Sequence, residues 1–219
     1  KNVISAGVNA ISQTNTIKKF QIEKDIKRSL FLIPKGNFED EINYAIKKTS
    51  IKLKDKIVYE TDPTKLTSQI EKITRYPQRK QNLIDEIKRL EDLDIEGNKN
   101  RIESLKKKDT LGGINFDSVI IADFDESLKS VVTSLLYTDV SSNRIKYITF
   151  NQWFDKSLLK EKSLQPIYYP SVNRANFIEF NKKFKKIYNQ NSNQIAFLSY
   201  DIVGLVYYLL FQNNFSVDK

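Results

Sequence analysis

Cysteine and histidine are both missing from this chain of 219 residues. Their absence removes cysteine nucleophiles, Ser-His triads, zinc fingers and histidine-ligated metals in one step. It also removes disulfides, so the redox compartment is left undetermined; a cysteine-free chain is compatible with an oxidising periplasm. The sequence opens at Lys1, with no initiator methionine, no basic n-region and no apolar h-region. It is read as a fragment or a mature segment whose targeting signal lies outside it. A basic stripe with interleaved aromatics or glycine-rich loops is also lacking, so nucleic acid is not an expected partner. The net charge is nonetheless +9. Diffuse charge of this kind suits anionic lipid or cell-wall polymer, or follows from a Lys-, Asn- and Ile-rich bias that places lysines on solvated helix faces.

What is present is enough for a core. Hydrophobic residues make up 40% of the chain and charged residues 29%, which suits one large domain or two small lobes. The stretch Phe116 to Leu136 organises the rest. Val119 to Ala122 is an unbroken apolar run, predicted as a strand buried on both faces. The acidic turn Asp123-Phe124-Asp125-Glu126 follows. Leu128, Val131, Val132, Leu135 and Leu136 then recur at helical spacing. A strand, a turn and a helix make half of a βαβ unit, and such units place ligands at the carboxyl ends of their strands.

The same alternation runs through the chain. Short strands are expected at Val3–Ala6, Ser29–Ile33, Lys56–Glu60, Ile145–Phe150 and Pro166–Tyr169. Helices are expected at Thr14–Asp25, with Ile17, Phe20 and Ile22 apolar, and at Phe38–Leu53, capped by Asn37. Others are expected from Thr64 to Thr74, ending before Pro77, and at Lys156–Lys162 and Asn173–Gln190. Gln78 to Lys108 is strongly charged and reads as a helical hairpin inserted between two strands. Leu111-Gly112-Gly113 lacks the Lys-Ser/Thr of a phosphate loop and carries no nucleotide role. Ile195 to Phe211 is almost wholly apolar but interrupted by Asp201. It falls short of the roughly twenty apolar residues of a membrane span and is predicted as a buried core helix. Alternation without hairpin signals implies an α/β fold: a parallel sheet with helices on both faces, in three layers.

Two resemblances bear on function. Val119 to Leu128 is similar to the first motif of haloacid dehalogenase-like phosphatases, in which Asp123 would attack phosphate and Asp125 act as acid/base around Mg²⁺. Against this, the motif lies mid-chain, Glu126 replaces a small residue, and the downstream Asp residues are scattered singly.

The second resemblance covers nearly the whole sequence. It is carried by Val3-Ile-Ser-Ala-Gly7 through Thr16, by Ser29 to Glu39, and by Asp109-Thr-Leu-Gly112 ahead of Phe116 to Asp123. The last stretch is Phe177 to Tyr188 followed by Ala196 to Val203. In order and spacing these resemble the type I periplasmic binding proteins of the Leu/Ile/Val-binding kind, most of all the penicillin-binding protein activators. The resemblance implies a non-enzymatic protein with no cofactor and no metal. Residues 1–9 would be the end of a first lobe, 10–171 the second lobe with its insert at 78–108, and 172–219 helices returning to the first. Ligand contacts would come from Asn37, Phe38, Asp123, Phe124, Asn151, Gln152 and Trp153, with Phe38 standing where a Tyr is usual. The implied partner is a peptidoglycan synthase or a small ligand such as an amino acid or cell-wall fragment. The implied location is the periplasm, with a lipoprotein anchor to the outer membrane through the missing N-terminus.

Overall fold

A computed structural model describes residues 8–36, 38–93, 96–151 and 160–212. Among them five strands form one sheet: β1 (Ser29–Pro34), β2 (Asp55–Tyr59), β3 (Ser118–Ile121), β4 (Lys146–Thr149) and β5 (Ile167–Tyr168). Their order is β2-β1-β3-β4-β5, and every neighbouring pair is parallel. The expected strand at Val3–Ala6 and most of the expected helix at Lys156–Lys162 lie outside the described residues.

The pleat explains why the central strands β1 and β3 are almost wholly apolar. Successive side chains point to opposite faces, and both faces are covered. Leu30, Leu32, Val119 and Ile121 pack towards α3 (Pro63–Thr74) and α6 (Asp125–Tyr137). Phe31, Ile33, Ile120 and Ala122 pack the other way, towards α1 (Ala10–Glu23) and α2 (Glu39–Thr49). Full burial of each such aliphatic or aromatic side chain contributes about 1.5–3 kcal/mol. The three-layer parallel α/β architecture expected from the alternation is the one observed.

Several boundaries differ from expectation, each for a local reason. Helix α1 begins four residues early because Asn9 caps it, its side chain accepting from the Ser12 N–H at 2.9 Å. The inward stripe of α1 is Ala10, Gln13, Thr14, Ile17 and Gln21, while Ile22 points to solvent. Asn37 lies outside the described residues, and the cap position of α2 falls to Phe38, whose side chain makes no capping bond. Glu39, Asp40 and Glu41 instead complement the helix dipole in the first turn, and Lys47 and Lys48 do so in the last. Asp62 caps α3 as a doubly accepting carboxylate, with Pro63 in its first turn. Pro77 does not close a region: it sits in the first turn of α4 (Tyr76–Asp92), where its missing N–H costs nothing.

The charged insert forms as a hairpin of α4 and α5 (Lys99–Lys106), joined through a 3₁₀ turn at Glu96–Asn98. It has its own small core of Leu83, Leu90 and Leu105. Glu86 pairs with Arg89 within α4, and Glu86 with Arg101 and Glu91 with Lys106 across the hairpin. Arg79 anchors it. This guanidinium is buried and donates to the Thr138 carbonyl at 3.0 Å, to Thr110 Oγ1 at 2.7 Å and to Asp139 Oδ2 at 3.3 Å. The insert is therefore fastened to the α6–β4 corner, at the end of the sheet away from the strands' carboxyl tips.

The final pair, α7 (Arg174–Tyr188) and α8 (Gln194–Gln212), overturns one expectation. The helix at Ile195–Phe211 is not a buried core element among the described residues. Only 6% of the window Gln194–Phe211 is buried, and its mean hydropathy of 1.5 makes it long and apolar enough to cross a membrane by length and composition. Val203, Tyr207 and Phe211 are all more than 60% exposed. The pair is held mainly by its own rings. Phe180 stacks on Phe197 and Tyr200 with centroids 5.3 and 5.1 Å apart, and Phe177 meets Phe197 edge-on at 5.9 Å.

Candidate functional site

The sheet order itself locates the site. With β2 on one side of β1 and β3 on the other, the chain leaves β1 in one direction and β3 in the other. Their following helices, α2 and α6, therefore lie on opposite faces, and a crevice opens between the two carboxyl tips. This order, 2-1-3-4-5, is the flavodoxin-like doubly wound arrangement, with its switch point between β1 and β3.

On the β1 side, the Lys35 N–H donates to the Tyr59 carbonyl at 2.9 Å, and Lys35 Nζ donates to Glu60 Oε1 at 2.7 Å. The turn then needs Gly36, whose φ of +145° is a conformation that L side chains rarely adopt. Its carbonyl accepts from the Glu39 N–H and leads into α2. Phe38 stands on the rim, 58% exposed.

On the β3 side, Asp123 forms the floor. It is 8% exposed. Tyr59, fully buried at the tip of β2, donates its hydroxyl to Asp123 Oδ2, and the Phe124 N–H donates to Oδ1 at 2.8 Å. Burial pushes the Asp123 carboxyl above the usual aspartate range, while the Tyr59 hydroxyl and the Phe124 amide pull it back down. Burial also pushes the Tyr59 phenol up, and the neighbouring Asp123 adds to that. Phe124 is half-buried against the α1/α2 side of the core. Asp125, the first residue of α6, is exposed and lies at φ +49°, in the left-handed region. Aspartate tolerates that region better than most side chains, and such strain gathers at binding sites.

Phe38 follows the carboxyl tip of β1, and Asp123 and Phe124 follow that of β3, on the two sides of the switch point. Asn151 also lies at a strand tip, after β4, but it acts as a brace. Its N–H donates to Gln13 Oε1 at 2.6 Å and its Nδ2 to the Pro170 carbonyl at 2.9 Å, tying β4 to α1 and to the segment after β5. Asn37, Gln152 and Trp153 lie outside the described residues. Tyr59, Lys35 and Glu60 were not anticipated. A tyrosine following the apolar pair Ile57-Val58 at the end of β2 was the one available signal for Tyr59. For the phosphatase resemblance, both Asp123 oxygens already accept hydrogen bonds, and among the described residues no three acidic side chains converge on one point.

No protein-family model matches this sequence, and no curated protein matches it. Solved structures do. A branched-chain amino acid ABC transporter periplasmic ligand-binding protein from Burkholderia xenovorans LB400 superposes with a TM-score of 0.53 at 10% identity, over 86% of this chain and 43% of that one. An ABC transporter substrate-binding protein from Desulfitobacterium hafniense gives 0.52 at 13% identity, over 90% and 48%. An extracellular ligand-binding receptor from Verminephrobacter eiseniae ef01-2 gives 0.53 at 9% identity, over 94% and 52%. At such identities the likeness establishes the fold alone, a five-stranded parallel α/β arrangement like that of these binding proteins. The chain spans about half the length of these structures.

Proposed function

We propose that this chain is the second lobe, with the returning helices of a first, of a non-enzymatic binding protein. It holds a ligand at the β1/β3 crevice without transforming it. The observation that carries this reading is the switch-point crevice itself, floored by the Tyr59–Asp123 pair and rimmed by Phe38, Phe124 and the Lys35–Glu60 ion pair. In this reading the lobe is 10–171, and α7 and α8 belong to a first lobe whose core would cover their exposed apolar side chains. Neighbours of about twice this chain's length support that division. The location that follows is the periplasm, with an outer-membrane lipid anchor as a further element of the proposal.

The ligand class is a small molecule of the Leu/Ile/Val-type solute-transport kind. The Desulfitobacterium hafniense protein in complex with Leu has the same fold, at a TM-score of 0.50. A second reading, an activator of peptidoglycan synthesis that binds a synthase or a cell-wall fragment, is favoured by one feature. The insert hairpin has a core and an anchor of its own and stands apart from the crevice.

The test is a thermal-shift and calorimetric screen of the 219-residue chain against branched-chain amino acids and muropeptides, repeated with Asp123→Asn and Phe38→Ala. A ligand-induced rise in Tm that both substitutions abolish is expected. Mg²⁺-dependent hydrolysis of a phosphate ester, lost in Asp123→Asn, would replace this reading with the phosphatase.

A further inference from the structure

The two ends of the sheet carry opposite charge. Because every strand is parallel, each strand runs towards the crevice and each connecting helix returns from it, so the end on which a residue lies follows from the topology. Among the described residues of the crevice end the exposed charges are mostly carboxylates, among them Asp40, Glu41, Asp62 and Asp125, and Lys35 is already paired with Glu60. At the opposite end the balance reverses. Several of its carboxylates are taken: Glu23 by Lys24 at 2.8 Å, Asp25 by Lys27 at 3.3 Å, Asp117 by Arg28 at 3.6 Å and Asp139 by Arg144 at 2.6 Å. Without an ion pair among the described residues are Asp55, Glu71 and Asp109, and on the insert Asp85, Asp92 and Glu103. Against them stand exposed lysines for which the described residues show no ion pair.

Helix dipoles explain some of these cations. Lys47, Lys48 and Lys72 lie in last turns, where positive charge is favoured. Dipoles do not explain Lys52 and Lys54, in the connection entering β2, or Lys108, beyond the Lys107 cap of α5 in the connection entering β3. A compositional lysine bias does not explain them either, since it would load both ends alike.

We propose that the end of the lobe opposite the crevice is a docking surface for an anionic phospholipid membrane, which leaves the crevice facing away from the bilayer. A bilayer surface fits better than an acidic protein because a protein interface needs an apolar centre. Among the described residues of this end, the large exposed hydrophobic side chains are Ile22 on α1, Tyr137 on α6, and Ile84 and Leu93 on the insert, spread over three helices. The cations are spread over several connections rather than ordered along a groove, and headgroup attraction requires no more than that.

The experiment is co-sedimentation of the 219-residue chain with vesicles of phosphatidylcholine alone or mixed with phosphatidylglycerol, at low and high salt. Retention on the mixed vesicles, released by salt and absent on pure phosphatidylcholine, is expected. The triple substitution Lys52→Glu, Lys54→Glu, Lys108→Glu should weaken it at least about tenfold. A matched triple on α7, Lys182→Glu, Lys185→Glu, Lys186→Glu, should leave it unchanged. Equal retention on both vesicle types, no retention at low salt, or loss in the α7 triple instead would overturn the proposal. So would salt-sensitive binding to polyglutamate or DNA with no binding to vesicles. The comparison of vesicle types on the unaltered chain does not depend on either variant folding.

Discussion

Removing one oxygen from the crevice floor tests the account of Asp123 directly. Tyr59→Phe keeps the ring in its fully buried position and deletes only the hydroxyl that donates to Asp123 Oδ2. The carboxylate left behind is 8% exposed, so water replaces the lost donor poorly. A hydrogen bond to a charged group contributes about 1.5–3 kcal/mol, and that is the expected loss at neutral pH.

The pH dependence makes the test sharper. Burial holds the folded pKa of Asp123 above its unfolded value. Its contribution to stability is therefore greatest in acid and declines as pH rises from the ordinary aspartate value through the raised one. The Tyr59 bond favours the ionised form, so its removal moves the folded pKa higher. The cost of Tyr59→Phe should then be full at neutral pH. It should shrink in acid towards the ~1 kcal/mol of a neutral hydrogen bond. Urea denaturation across a pH series measures both quantities, and a double-mutant cycle with Asp123→Asn isolates the pair. A cost below ~0.5 kcal/mol at neutral pH, or one that does not change with pH, would refute this account of the site.

Other consequences follow from the fold. Asp62→Ala removes a carboxylate that caps two amides of α3 and should cost about 1 kcal/mol in urea denaturation. Arg79→Met leaves Thr110, Asp139 and the Thr138 carbonyl short of a donor. It should cost about 2–3 kcal/mol and expose the insert hairpin to limited proteolysis before the rest of the lobe. Val203→Asp combined with Val206→Asp changes side chains already exposed on α8. In this 219-residue chain it should alter stability by no more than about 0.5 kcal/mol, whereas a core position such as Leu128→Ala should cost about 2–5 kcal/mol.

The layers of the fold were legible because parallel strands buried on both faces need unbroken apolar runs. Ser29 to Ile33 and Val119 to Ala122 have them, and charged helical segments separate them. Helix ends were legible where a side chain caps, as at Asp62, and illegible where the cap is weak or ambiguous. The first turn of α1, from Asn9 to Gln13, was missed because its inward stripe is half polar, with Gln13, Thr14 and Gln21 buried beside Ile17. Gln13 is buried because it serves the Asn151 N–H, and Gln21 because it donates to Ser29 Oγ at 2.5 Å. Hydrophobic periodicity cannot reveal a polar residue whose partner lies on another element. Pro77 carried the opposite ambiguity: a proline fits equally after a helix or in the first turn of the next, and only packing chose between them.

The same limit governs the site. That Asp123 would lie at a strand's tip followed from the run ahead of it; that Tyr59 would meet it, 64 residues away, required the order in which the strands assemble. Helix α8 extends the argument from one side chain to a whole element. Its composition demands burial, and within this chain α7 meets only part of that demand, through Phe180 and Phe177. A stretch rich in Val, Leu, Tyr and Phe says how much apolar surface seeks cover, whereas the supplier of that cover is a property of the assembly. In the proposed two-lobe reading the inward face of a first lobe supplies that cover for α8, and Asp201 suits it, since a charge in mid-helix is costly in a bilayer and tolerable at the polar edge of a protein interface.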